Sequence, residues 1–215
     1  MAAFLDRLAQ VPQTKAEDRS TMTQETCSTI REPELAARLH EFGQTLKWAR
    51  ELAAGLTDSQ FAWQPAPDRW SIGHCVDHLR MTAEAYVPQV AATLAEARRR
   101  GATASGPFRY SAFSGWLVST MEPPPGRRLP TVARFVPPPG RSRQQILEGY
   151  ETANTALTRL ISESDGIDLR RVRVQSPVTR LLRLPLGRAF EFLAAHERRH
   201  IWQVEQVKRS SEFPD

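Results

Sequence analysis

An all-α chain folded as a four-helix bundle is predicted by three observations. Four apolar stripes recur at alternating three- and four-residue spacing. No strand-like alternation is strong enough to compete with them. A long proline-rich stretch separates the second stripe from the third, as a crossover connection would.

The first stripe runs through Leu35, Leu39, Phe42, Leu46, Ala49, Ala53 and Leu56. Pro33 suits the first turn of that helix, where its missing N–H is no loss, and Gly55 lies close to its end. A polar link, TDSQFAWQPAPDRW, follows, and Ser71 is a natural N-cap for the second helix. Its stripe is Ile72, Val76, Leu79, Ala83, Tyr86 and Val90, fading in EARRR before Gly101.

Residues 101–140 cannot stay helical for long. MEPPPGRRLPTVARFVPPPG holds two proline triplets, which force extended or turn geometry. Trp116, Leu117 and Val118 mark a partly buried segment just before it, and a connection of this length is usually functional or a crossover. Ser142 then opens a capping box with Gln145, and Ile146, Tyr150, Ala153, Leu157 and Leu160 form the third stripe. VRV at 172–174 reads as a short extended piece. Pro185 and Gly187 begin the fourth helix, which continues to about Lys208.

The expected organisation is a flexible leader over 1–30, a bundle domain over 31–210 and a short tail over 211–215. Met22 leaves a later start site open. No apolar run approaches the roughly 20 residues that span a bilayer, and the N-terminus lacks a secretory pattern, so the cytoplasm is the expected compartment. Cys27 and Cys75 cannot build a disulfide framework, and Cys75 reads as a small buried hydrophobe. The net charge is +5, but the arginines are spread along the chain among acids. Nucleic-acid binding through Arg127–Arg143 and Arg170–Arg188 is therefore the weakest of the functional readings.

The fourth stripe carries the informative irregularity. Leu186, Phe190, Leu193, Val204 and Val207 align on one face, and the same face in the middle holds His196, Glu197 and His200. Arg198, Arg199 and Trp202 fall outside it, the arginines expected in solvent and Trp202 pointing nearly the opposite way. Burying two imidazoles and a carboxylate without partners would cost roughly 1–3 kcal/mol for each unsatisfied group. Imidazoles at i and i+4 can share one metal ion, the alternatives being a buried hydrogen-bond network or a helix rotated towards water. The residues alone leave these readings open.

HERRH also fits H-E-x-x-H, the zinc-protease spacing. The positions where a metzincin needs glycine and histidine hold Gln203 and Gln206, and fifteen residues after His200 are too few for a helix bearing a further ligand. A third ligand must come from upstream. Of His40, His74 and His78, the best placed is His78, at the border of the second stripe. His74 lies further round and reads as exposed, and His40 reads as a surface residue. If the second and fourth helices run antiparallel, His78 and His200 lie at matching heights.

WSIGxCVxHL at 70–79, followed by HERRHxWQ at 196–203, resembles the DinB-like (DinB/YfiT) superfamily. The likeness runs from about Glu32 to Lys208 and takes in LTDSQFAWQPAPDRW and FVPPPGRSRQQILEGY. It implies an up-down-down-up bundle and a divalent metal, nickel or zinc, held by three histidines, which fall here on His78, His196 and His200. It also implies relatives that are hydrolases or that transfer low-molecular-weight thiols. The expected function is thus a metal-dependent hydrolase or thiol S-transferase, with Glu197 as base or ligand orienter. The expected partners are a small-molecule substrate and, as an open question, a second copy of the chain. The competing expectation is a non-catalytic bundle that binds a ligand or partner and keeps the metal as a structural clip.

Overall fold

The computed structural model describes residues 30–126 and 130–215. The expected leader up to residue 29, with Met22 and Cys27, lies outside the described residues, as do Arg127 and Arg128 of the basic stretch. Four long helices dominate: α1 (Pro33–Gly55), α3 (Ile72–Arg99), α5 (Arg143–Ser162) and α6 (Leu186–Lys208). Among the described residues no helix is long and apolar enough to cross a membrane.

Short elements qualify the all-α expectation. α2 (Asp58–Ala62) fills the first link, and α4 (Ala112–Ser119) and a 3₁₀ turn (Ala133–Phe135) lie in the crossover. The extended piece expected at 172–174 is half of a two-stranded antiparallel ribbon. β1 (Arg173–Gln175) pairs with β2 (Arg183–Pro185) in the register Val174 opposite Leu184. The second strand, RLP, carries too few residues for an alternation to be read, and its partner alone makes it a strand.

The caps follow local chemistry. Ser142 Oγ accepts from Gln145 N (3.2 Å) while Gln145 Oε1 accepts from Ser142 N (2.9 Å), the reciprocal pair expected from the sequence. Ser71 starts α3 in the same way, but the reciprocating side chain is His74, whose Nδ1 sits 3.3 Å from Ser71 N. α3 ends where Gly101 takes φ +63°, a left-handed conformation that costs glycine nothing. There Gly101 N bonds Arg98 O and Ala102 N bonds Ala97 O.

α1 and α3 each pack against both α5 and α6. Every residue of the stripes expected on α3 and α5 is buried. On α1 the buried face is rotated slightly from the expected one: Leu35, Phe42 and Ala49 are buried, but Thr45 and Leu52 take places expected for Leu46 and Ala53. The apolar core falls into two blocks along the bundle. One gathers Leu35, Phe42, Tyr86, Leu157 and Phe190, and the other Leu52, Ile72, Val76, Ile146 and Val204. Between them lies a polar layer containing Thr45, Asn154, Glu197 and His200, all buried. That layer is the polar break of the fourth stripe, seen in three dimensions.

Candidate metal centre

His78 stands in the second turn of α3, and His196 and His200 occupy successive turns of α6. Cys75 Sγ lies 3.9 Å from Gln203 Oε1, so the start of α3 meets the later half of α6. His78 Nε2 and His200 Nε2 each lie 3.1 Å from His196 Nε2. Among the described residues, these three are the group of metal-capable side chains whose ligand atoms fall within 4.8 Å of one another.

The donor set suits a divalent ion. Imidazole nitrogens at about 2.1 Å from a tetrahedral or octahedral ion lie roughly 3.0–3.4 Å apart, and the observed separations fall in that range. His78 Nδ1 is 2.7 Å from the Phe135 carbonyl, which can only accept, so Nδ1 carries the proton and Nε2 presents its lone pair. Burial lowers the pKa of all three rings: His196 falls to about 3, helped by the charges of His78 and Arg199, and His200 falls well below its ordinary value. Neutral rings at pH 7 are the ligating form. Trp70 stacks on His200 with ring centres 5.8 Å apart, and Phe192 lies parallel to His196 at 6.5 Å. The three rings are thus held by packing before any ion arrives.

The cluster opens into a cavity of about 1390 Å³. Its wall comes from α3 and α6, from the Trp70 loop and from the crossover around Met121, Val132 and Phe135. The proline-rich connection therefore builds the cavity and, through the Phe135 carbonyl, holds one histidine.

Glu197 keeps the inward face expected of it, but not at the cavity wall where a base would act. It is buried and does not line the cavity; it turns into the bundle, where its Oε1 accepts from the Tyr150 hydroxyl (3.1 Å). Burial raises its pKa to about 8, against the lowering effect of the Thr45 and Tyr150 hydroxyls. A carboxyl so placed faces the polar layer on α5 rather than the cavity.

The two arginines of HERRH also depart from expectation. Arg198 is only partly exposed and pairs with Glu41 of α1 and Glu122 of the crossover. Arg199 is buried at 6% exposure, donates to the Thr120 carbonyl (3.0 Å) and lines the cavity. Trp202 is half-buried at the cavity edge, not turned away from it. Rotation about the helix predicts distance from the core stripe, but the crossover covers the side where these residues point.

His74 is spent on the helix cap, with Nδ1 also 2.7 Å from Ser71 Oγ, and stands outside the cluster. His40 is exposed and meets Gln44. Cys75 is buried, its thiol pushed up to about 12 by burial, as a small apolar side chain rather than a thiolate. Tyr150, Asn154 and Thr45 belong to the polar layer and were not singled out by the sequence as polar partners. Only an interruption of apolar character at matching heights on three helices could have marked them.

The model of the DinB superfamily matches residues 41–204. No curated protein and no solved structure matches the chain.

Proposed function

The chain belongs to the DinB superfamily, and from that membership together with the histidine cluster we propose that it is a metal-dependent enzyme, a hydrolase or a low-molecular-weight-thiol S-transferase. His78, His196 and His200 would hold nickel or zinc. The observation that carries this reading is the convergence of three Nε2 atoms at the wall of a cavity large enough for a small-molecule substrate. Three protein ligands leave room for water or substrate, as in catalytic sites.

A divalent ion in such a site supplies Lewis acidity and lowers the pKa of a bound water or thiol. The chain's own residues do the rest. Phe135 orients His78 through its carbonyl, and Trp70 and Phe192 clamp the other two rings and exclude water from that side. Glu197 and Tyr150 hold the α6 segment between the two ligands against α5.

The same reading takes the long helices to run up-down-down-up within one bundle domain over 31–210. Support comes from Arg31 at the start of α1 pairing with Asp165 just beyond α5, and Arg98 near the end of α3 pairing with Glu163 at that same end of α5.

Elemental analysis of the purified protein tests the proposal. About one divalent ion per chain is expected, lost in His196→Ala, together with thiol transfer to a panel of electrophiles or hydrolysis of activated esters. Protein without stoichiometric metal, or a His196→Ala variant that keeps it, would sink the reading. The rival reading is a structural clip. It is favoured by the way one cluster joins α3, α6 and, through Phe135, the crossover. It predicts that the chelated chain loses cooperative melting.

A further inference from the structure

Two segments of the chain hold no aspartate or glutamate: 130–141 in the crossover and 169–190 around the ribbon. The fold sets them side by side. Pro177, just past β1, lines a groove of about 480 Å³ together with Arg134 and Arg141 of the crossover. Val178 lines the larger cavity together with Val132 and Val136. Six large apolar side chains stand exposed among the described residues, and four of them lie in these two segments: Val132, Val136, Val178 and Leu181, the last at 96% exposure.

Arginines accompany them. Strand alternation turns Val174 and Leu184 to the core and leaves Arg173 and Arg183 on the outer face of the ribbon, while Arg180 and Leu181 share its exposed turn. Among the described residues, Arg134, Arg141, Arg170, Arg173, Arg180 and Arg183 are all exposed and make no ion pair. The bordering acids are engaged elsewhere, Glu84 by Arg80 and Asp168 by Arg171. The face is thus cationic, without acids of its own, and tipped with aliphatic side chains that add nothing to the core.

We propose that this face docks on an anionic lipid surface, with Val178 and Leu181 entering the headgroup layer and the arginines meeting lipid phosphates. An anionic bilayer offers both things the face lacks, negative charge at the surface and apolar depth beneath it. Arginine suits the position because its stem can lie along apolar surface while the guanidinium stays in water beside the phosphates. A nucleic acid would meet the same charges, but it gains little from aliphatic side chains that cannot stack on its bases. Val132, Val136 and Val178 are exposed and also line the cavity, so docking sets the rim of that cavity against the lipid.

The test is cosedimentation of the full chain with vesicles of phosphatidylcholine alone and of phosphatidylcholine mixed with phosphatidylglycerol. Binding is expected to the mixed vesicles only, and to fade as salt rises from about 0.1 M to about 1 M, where screening acts over roughly a third of the distance. Arg141→Gln combined with Arg180→Gln should weaken it about fivefold for each arginine removed. Leu181→Gln should weaken it about tenfold and leave the salt dependence in place. All three positions are exposed, so circular dichroism and melting of the variants should match the parent chain. Chelation should change nothing, because none of these residues belongs to the histidine cluster. Equal binding to both vesicle types, no binding to either, or full binding by the arginine or the leucine variant would overturn the proposal. So would binding of a DNA or RNA duplex that Leu181→Gln leaves intact in a chain that ignores vesicles, which would mark a nucleic-acid face.

Discussion

The Tyr150 hydroxyl donates to Glu197 Oε1 across 3.1 Å, with both side chains buried between α5 and α6. The bond faces a carboxyl next to His196 away from the cavity, and it accounts for part of the polar interruption in an otherwise apolar stripe. Asn154 Nδ2 lies 3.2 Å from the same hydroxyl, extending the layer along α5.

From this burial follows a pH-dependent cost. Below the unfolded carboxyl's pKa near 4.5, both states are protonated and there is no penalty. As pH rises towards the folded value of about 8, the unfolded chain releases a proton that the folded chain keeps, so stability falls; above it the cost is constant. Glu197→Gln in the chelated protein should therefore melt like the wild type at pH 4.5 and progressively higher than it by pH 8, by a few kcal/mol at most. Parallel thermal melts across that range check the divergence. Equal melting at every pH would show that the carboxyl ionises freely.

Removing metal should leave a folded bundle. The two apolar blocks on either side of the polar layer are buried independently of any ion, and the three rings are neutral at pH 7. In the Glu197→Gln background, the chelated chain is expected to keep its helical circular dichroism and melt cooperatively. Its melting point should drop on going from pH 7 to 5, because the unfolded histidines take up protons near 6.5 that the folded ones resist. A pH-independent melt would contradict the burial of the cluster.

Arg80 makes a buried ion pair with Asp77 (2.6 Å) and reaches Glu84 on the next turn. Arg80→Ala should cost about 3–5 kcal/mol by stranding the Asp77 carboxylate, and replacing both partners with apolar residues should recover most of it. Gly149 on α5 makes room for this side chain: a Cβ there would lie 2.5 Å from Arg80 Cδ. Gly149→Ala is expected to destabilise by about 1–3 kcal/mol although alanine favours helix. Denaturant melts of the single and double variants should be non-additive, with the alanine tolerated once Arg80 is gone.

Ser71→Ala removes one half of the cap that His74 completes at the start of α3. A loss of about 1 kcal/mol is expected. Metal content measured on the same samples should be unchanged, since His74 stands outside the cluster. Loss of metal in this variant would make the cap part of the site.

Much of this was legible in the chain read as text, because it is local. The three- and four-residue spacings on α3 and α5 set which residues are buried, Ser71 and Ser142 set where those helices begin, and paired histidines at i and i+4 must share a face whatever surrounds them. Matching heights, on the condition that the two helices run antiparallel, then made His78 a candidate beside His196 and His200. What the chain could not disclose is which side of a helix the rest of the molecule covers. Glu197 and His200 lie on one stripe, yet one turns to Tyr150 in the core and the other to the cavity. Arg199 lies off the stripe and is buried all the same, because the crossover folds over it and offers the Thr120 carbonyl. Periodicity reports an angle about one helix axis. Whether that angle meets core, cavity or water depends on segments distant in sequence, and only their packing decides it.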